Sequence, residues 1–387
     1  MLRMGVIGIG NMGTEHCRMI TGGKTPEVEL VAAADLRADR RQWAKENLPD
    51  TVQIFDSADA LIASGLCEAV IVAVPHPSHP AVTVAALNAG LHVLCEKPIA
   101  VSTEEARVMV EAAEKSGKTF ALMFNQRTNG LYKRMKQLLD SGEMGAIKRV
   151  NWIITDWYRS QTYYDSCTWR ATWLGEGGGV LLNQCPHQLD LLQWLCGLPT
   201  LVDAHCHEGK WHTIEVEDDV TAYMEFENGA TGVFIASTGD LPGSNRLEIT
   251  CDRGRLICED DKVRVLKLPV SERAYCYESP NAYAKPESVE EVFGNEGDNP
   301  QHCGVTNAFA AHILHGEPLV AEGKEGLRSL MLSNAIHLSS WLGHPVPLPI
   351  DEKLFLKELN DRRAKSHIKE GEDVTFITDH SQSGKAL

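Results

Sequence analysis

Short apolar runs alternate with amphipathic stretches from the first residues of the chain. Residues 2–7 read as a buried strand, 11–21 as a helix and 28–34 (VELVAAA) as a second buried strand ending at Asp35. A helical pattern covers 38–48, an apolar strand 69–74, and an alanine-rich helix 78–89 that Gly90 stops, before a strand at 92–95. Ser102 and Glu105 form a capping-box signature for a helix running to Ser116, Gly117 is its stop, and 119–124 is a further strand. Strands that alternate with helices imply a parallel sheet covered on both faces. Residues 1–126 are therefore expected to form a Rossmann-type, doubly wound α/β domain.

Beyond a helix at 131–140 the pattern changes to longer amphipathic strands. Strands 219–227 and 231–237 meet at Asn228-Gly229, a hairpin signal, and 246–250 and 255–258 flank Gly254. This predicts an α+β domain over 127–350 with a mainly antiparallel, open sheet. Within it, 270–300 reads as a surface excursion, followed by helices at 302–315 and 324–342. Residues 351–387 form a polar C-terminal extension whose end is expected to fray.

With 43% hydrophobic residues, 387 residues can bury a large core, and the length suits two domains. A net charge of −16 repels a phosphate backbone, and no basic stripe reverses that field, which argues against a nucleic-acid partner. No run of roughly 18 apolar residues is present, and the first residues enter a strand without a signal-peptide pattern, so no membrane association is expected and the protein should stay in the cytoplasm. Eleven cysteines without CxxC pairs fit thiols used as small buried hydrophobes. His205, Cys206, His207 and His212 could be read as metal ligands. They lack an acidic or thiol complement, and the expectation is no metal.

Gly8, Gly10 and Gly13 form G-x-G-x-x-G between the first strand and first helix, where the backbone can turn tightly and approach a pyrophosphate at a helix N-terminus. Asp35, at the end of the second strand, stands where a carboxylate accepts hydrogen bonds from an adenosine ribose. It also repels a 2′-phosphate. NAD is therefore the expected cofactor, although Arg37 keeps NADP open.

The strand HVLCEKP delivers Glu96 and Lys97 to the carboxyl edge of the sheet, where ligands of open α/β folds bind. Lys97 is a candidate proton partner and hydrogen-bond donor to a reacting oxygen. Gly177-Gly178-Gly179 precedes an apolar run in which Asn183 and His187 are expected one helical turn apart on one face.

Taken together, these residues resemble the glucose-fructose oxidoreductase and inositol dehydrogenase family (Gfo/Idh/MocA). The match runs in order over residues 1 to about 350 through GIGNMG, Asp35, VAVPHPSHP, EKP, FNQR and GGGVLLNQCPHQLD. The resemblance implies the fold, a nicotinamide cofactor and a sugar or polyol substrate. It further implies cofactor contacts at Asn11, Met12, Asp35, Pro75, His79, Glu96 and Asn125, with Lys97 and His187 catalytic. Asn183 stands where many relatives carry Asp, and an amide cannot titrate, so Asn183 is expected to orient substrate.

Residues 156–173, DWYRSQTYYDSCTWRATW, concentrate aromatic and Arg side chains. Trp157, Tyr158, Trp169 and Arg170, with Arg127 of FNQR, are candidate sugar contacts, because rings stack on a pyranose face; the same composition suits a subunit interface. The expected activity is hydride transfer to or from a secondary ring carbinol of a sugar, glycoside or cyclitol. Two rivals are a glycosidase working by transient C3 oxidation, elimination and re-reduction, and a non-catalytic nicotinamide sensor. An open sheet with one bare face implies a homodimer or homotetramer.

Overall fold

Two sheets organise the chain, one in each of the two units into which the computed structural model divides: Met1–Thr128 with Asn299–Leu330, and Asn129–Asp298 with Met331–Leu387. The structure describes residues 1–294 and 299–369. The expected fraying of the chain end concerns 370–387, which lie outside the described residues.

The first unit runs β1 (Leu2–Ile7), α1 (Asn11–Thr21), β2 (Val28–Ala34), α2 (Ala38–Asn47), β3 (Gln53–Phe55), α3 (Ala58–Ala63), β4 (Ala69–Val72), α4 (His79–Asn88), β5 (His92–Cys95), α5 (Thr103–Ser116) and β6 (Phe120–Leu122). The strands pair in parallel in the order β3-β2-β1-β4-β5-β6. The order reverses between β1 and β4, and the crevice outside their carboxyl ends is where such sheets take a ligand. Both halves of the capping box at Ser102 are made, and Gly117 ends α5 in the left-handed region at φ 66°. β3 and α3 escaped the pattern because they are only a turn or so of chain, too short for periodicity to show.

Downstream of β6 come α6 (Gly130–Asp140), β7 (Ile147–Ile154), α7 (Gln161–Asp165), α8 (Pro186–Cys196), β8 (Leu201–Glu208), β9 (Glu217–Glu225) and β10 (Thr231–Ser237). They are followed by β11 (Asn245–Cys251), β12 (Gly254–Glu259), β13 (Lys262–Lys267), α9 (Glu272–Glu278) and β14 (Val289–Gly294). The last elements are α10 (Gln301–His315), α11 (Gly326–Leu342), β15 (Val346–Pro347) and α12 (Glu352–Arg363). The sheet of the second unit is ordered β14-β13-β12-β11-β7-β10-β9-β8-β15. It is antiparallel except where β10 runs parallel to β7. Trp152 on β7 is fully buried, edge-on to Phe234 and tilted against Tyr132 of α6. On the opposite face Ile153 and Tyr223 stay exposed beside half-buried Val233 and Ile235.

Three expectations change. The segment 299–330 belongs to the first unit, not the second: Val305, Phe309 and Ala310 of α10 join the core of Leu2, Met4 and Ile71. A helical repeat says that one face is buried and is silent on which sheet buries it. The excursion 270–300 contains α9 and an edge strand, β14, held by the diagonal cross-strand pairs Arg264–Glu290 and Lys267–Glu291 as well as by Phe293 opposite Val263. Arg127, expected at the substrate, is buried within the first unit. Its guanidinium donates to Glu325 at 2.5 Å and packs over Phe124, so its charge is spent holding the returning segment.

Arg127→Met strands Glu325 without its cation. Urea denaturation followed by circular dichroism should show a loss of about 2 kcal/mol, below the cost of a fully buried pair because Glu325 keeps some solvent.

Candidate active site

The turn after β1 is shaped by what it cannot hold. A Cβ on Gly8 would lie 2.5 Å from the carbonyl oxygen of Ala73, and one on Gly13 would lie 1.8 Å from that of Gly8. Above Gly10 nothing lies within 4 Å. The turn therefore closes onto the loop after β4 and stays open at its middle glycine. Asp35 fixes it: Oδ2 accepts from the Ile9 amide at 2.6 Å and Oδ1 from the Arg37 amide at 2.8 Å. Asn11 and Met12 form the first turn of α1. Arg37 turns its guanidinium onto both oxygens of Asp39 and holds that carboxyl below the usual range.

Glu96 and Lys97 leave β5 at the same edge, with Glu96 buried and Lys97 half-buried. Burial alone would raise the Glu96 carboxyl. The 2.7 Å hydrogen bond with His16 and the charges of His16, His302 and Lys97 override it and hold the group at about 2. His302, at the start of α10, meets His16 edge-on, and burial lowers it to about 4. His79 was expected to touch the cofactor. Instead it is buried, and its two ring nitrogens face the carbonyls of Pro98 (2.8 Å) and Val74 (2.9 Å), so it ties the loop carrying exposed Pro75 to the EKP turn.

Asn125 donates from Nδ2 to Gln301, while its Oδ1 and His16 Nδ1 are buried without a partner among the described residues. Buried polar atoms left in that condition in the unit that carries an open glycine turn fit a dinucleotide that would supply the missing contacts.

In the second unit the triple-glycine loop is gripped by a buried carboxylate. Glu217 accepts from the amides of Gly179 (2.9 Å) and Leu181 (3.0 Å) and faces His337 at 3.1 Å. A Cβ on Gly179 would lie 2.0 Å from the Glu217 carbonyl. α8 starts only at Pro186, whose ring suits the first helical position and restricts Cys185, so Asn183 sits in the preceding turn with its amide bonded to Gly179 O. The expectation that Asn183 and His187 share one helix face is therefore corrected; His187 lies in the first turn of α8 and is buried.

Around Asn183 a polar cluster forms. Its Nδ2 donates to Glu176 Oε1, and its Oδ1 faces the Tyr163 hydroxyl at 3.4 Å. Tyr163 accepts from Arg170 at 2.6 Å and from Gln184 at 3.3 Å, and Arg170 lies over the rings of Tyr163 and Trp169. Trp157 is half-buried and Tyr158 exposed.

Residues 364–369 return across this tract. Ser366 accepts from the Leu174 amide and donates to Glu215, and Lys369 reaches Tyr164 O at 2.8 Å. Nothing in the polar C-terminal sequence marked that docking, nor did His16, Gln301, His302, Glu176 and Glu217 stand out. His16, His302, Gln301 and Glu217 acquire their settings from residues distant in the chain, and Glu176 from Ala171 and Asn183 across an irregular turn. Among the described residues no cluster of His, Cys, Asp and Glu could hold a metal, and no helix is long and apolar enough to cross a membrane.

Residues 2–124 match the family model described as oxidoreductase family, NAD-binding Rossmann fold, and residues 132–257 match the GFO/IDH/MocA C-terminal domain. The chain belongs to the GFO/IDH/MocA oxidoreductase family. Inositol 2-dehydrogenase of Salmonella typhimurium is 31% identical over 195 residues, 50% of this chain and 54% of that protein, so the chain spans about half the length of that curated relative. D-glucoside 3-dehydrogenase of Escherichia coli is 26% identical over 90% of this chain and 97% of its own. Among solved structures, the WlbA dehydrogenase from Bordetella pertussis, in complex with NADH and UDP-GlcNAcA, superposes with TM-score 0.76 at 26% identity, covering 90% and 99% of the two chains.

The histidine cluster yields a pH prediction. A histidine whose folded value drops from 6.5 to about 4 binds fewer protons folded than unfolded between those limits, so stability declines as pH falls through that window, and depressed Glu96 adds a further loss below about 4.5. Thermal denaturation should show the melting temperature falling from pH 6.5 towards 4, with a shallower decline in His302→Gln.

Proposed function

We propose that this chain is an NAD-dependent dehydrogenase acting on a secondary ring hydroxyl of a sugar, glycoside or cyclitol. The carrying observation is that Glu96 and half-buried Lys97 leave β5 at the sheet edge where the glycine turn after β1 lies open. Gly8, Gly10, Gly13, Asn11 and Met12 would hold the pyrophosphate, Asp35 the adenosine ribose, and Glu96 and Asn125 the nicotinamide end. Asp35, together with Asp39 already occupying Arg37, favours NAD over NADP. The named activities of the relatives and the nucleotide sugar bound by the WlbA dehydrogenase support a polyol substrate.

Bound NAD supplies the hydride acceptor. Lys97 donates a hydrogen bond to the reacting oxygen, and Lys97 or His187 takes the hydroxyl proton as the carbinol becomes a carbonyl; reduction reverses both roles. Trp169 offers a ring face to the sugar, and Asn183 orients it. A second reading shares its first step, C3 oxidation of a glycoside, with the activity named for D-glucoside 3-dehydrogenase, and continues with loss of the C2 proton, expulsion of the aglycone, addition of water and re-reduction of C3.

The test is a panel of myo-inositol, methyl β-D-glucoside and p-nitrophenyl β-D-glucoside with NAD, read by NADH absorbance and product mass. Stoichiometric NADH with an intact glycosidic bond is expected. Nitrophenol release at constant NADH absorbance selects the second reading, and NADH binding without turnover leaves a sensor. Lys97→Met and His187→Ala should each lower kcat by roughly 100-fold or more, and the pH-rate limb that vanishes identifies the proton partner.

The bare sheet face is proposed to pack against a second copy, because Ile153 and Tyr223 with neighbouring Val233 and Ile235 leave an apolar patch in water. Sedimentation should give a dimer or tetramer at micromolar concentration and a shift to monomer in Ile153→Lys/Tyr223→Lys. A wild-type monomer overturns the assembly.

A further inference from the structure

Glu176 is a buried carboxylate on no regular element, one residue ahead of the triple-glycine loop. Its two oxygens have separate duties. Oε2 accepts from the Ala171 amide at 2.7 Å, at a residue held in the left-handed region at φ 56°, and Oε1 accepts from the Asn183 side chain. The Arg170 guanidinium approaches Oε1 at 3.9 Å. An ionised carboxylate can only accept, so the Asn183 amide has one allowed orientation: nitrogen towards Glu176, oxygen towards the Tyr163 hydroxyl. Tyr163 is in turn fixed by Arg170 and Gln184.

We propose that Glu176 is the positioning residue of the sugar half-site, a carboxylate that acts through Asn183 by fixing which end of its amide faces the substrate. The proposal rests on the dehydrogenase reading and adds to it a source of specificity: with Glu176 ionised, the group at position 183 has a set polarity, its oxygen towards Tyr163. Burial raises the Glu176 carboxyl above its ordinary range. The charged groups facing it are Arg170, Glu217 and Lys369, with the Tyr163 phenol close by.

The consequences are distinctive because a glutamine has one acceptor where the carboxylate has two. In Glu176→Gln the amide oxygen stays on the rigid Ala171 N–H, so the new NH2 group confronts the Asn183 NH2 group and turns that amide over. Asn183→Asp alone sets two carboxylates within hydrogen-bonding distance, and one must keep a proton. The double variant Glu176→Gln/Asn183→Asp restores donor against acceptor.

The experiment measures kcat and KM against pH for wild type, Glu176→Gln, Asn183→Asp and the double variant, using whichever of myo-inositol or methyl β-D-glucoside wild type oxidises. NADH binding is followed by fluorescence, and folding by thermal melting. Glu176→Gln should lose roughly 10- to 100-fold in kcat/KM for the sugar with NADH affinity unchanged. Asn183→Asp should move the acid limb of the profile to higher pH, and the double variant should recover most of the loss. Wild-type kcat/KM in Glu176→Gln, or a double variant no better than that single variant, overturns the proposal. If Glu176→Gln does not fold, Asn183→Asp decides alone, and an unchanged sugar KM and pH profile overturns it. A wild type that binds NADH and oxidises neither compound sinks the dehydrogenase reading itself, and this inference with it.

Discussion

Loops that carry chemistry have no ladder to satisfy their amides, and in this protein buried or half-buried carboxylates do that work. Asp35 takes the amides of Ile9 and Arg37, Glu217 those of Gly179 and Leu181, Glu176 that of Ala171, and Asp218 those of Lys210, Trp211 and His212. An ionised acceptor makes a stronger bond to a backbone N–H than a neutral one, and two oxygens can grip two points of a turn. The glycine turn, the triple-glycine loop and the 209–213 loop thus have defined shapes without regular structure.

The same economy governs the cations. Arg127, Arg170 and Arg37 could each be taken for a ligand clamp from sequence, yet each is answered by a carboxylate of its own neighbourhood: Glu325, Glu176 and Asp39. Burying a guanidinium without a partner costs several kcal/mol, so buried Arg127 and Arg170 need such an answer, while Arg37 finds its own at the surface. His212 repeats the pattern with Asp218 on one ring nitrogen and Arg159 O on the other, which gives the histidine-rich tract a structural role at that residue.

Membership of the GFO/IDH/MocA family joins the NAD-binding Rossmann fold to a C-terminal sheet domain. Within that domain the tract from Trp157 to Glu176 is braced from within by Tyr163 and Arg170 and from outside by the returning segment at Ser366 and Lys369.

By itself the sequence determined what depends on local periodicity and backbone need: the alternating elements of the first unit, the capping box at Ser102, the hairpin at Asn228-Gly229, and glycines at Gly8 and Gly13 where no side chain fits. Asp35 was legible too, because its distance from the glycine turn is set by one strand–helix–strand unit. Only the tertiary structure decided that 299–330 returns to the first sheet, that Pro186 leaves Asn183 off the helix, that Glu217 grips the triple-glycine loop, and that His16 meets Glu96 and His302. Periodicity reports that a face is buried; which partner buries it, and which carboxylate meets which amide, depends on pairings between residues far apart in the chain, and these leave no local trace.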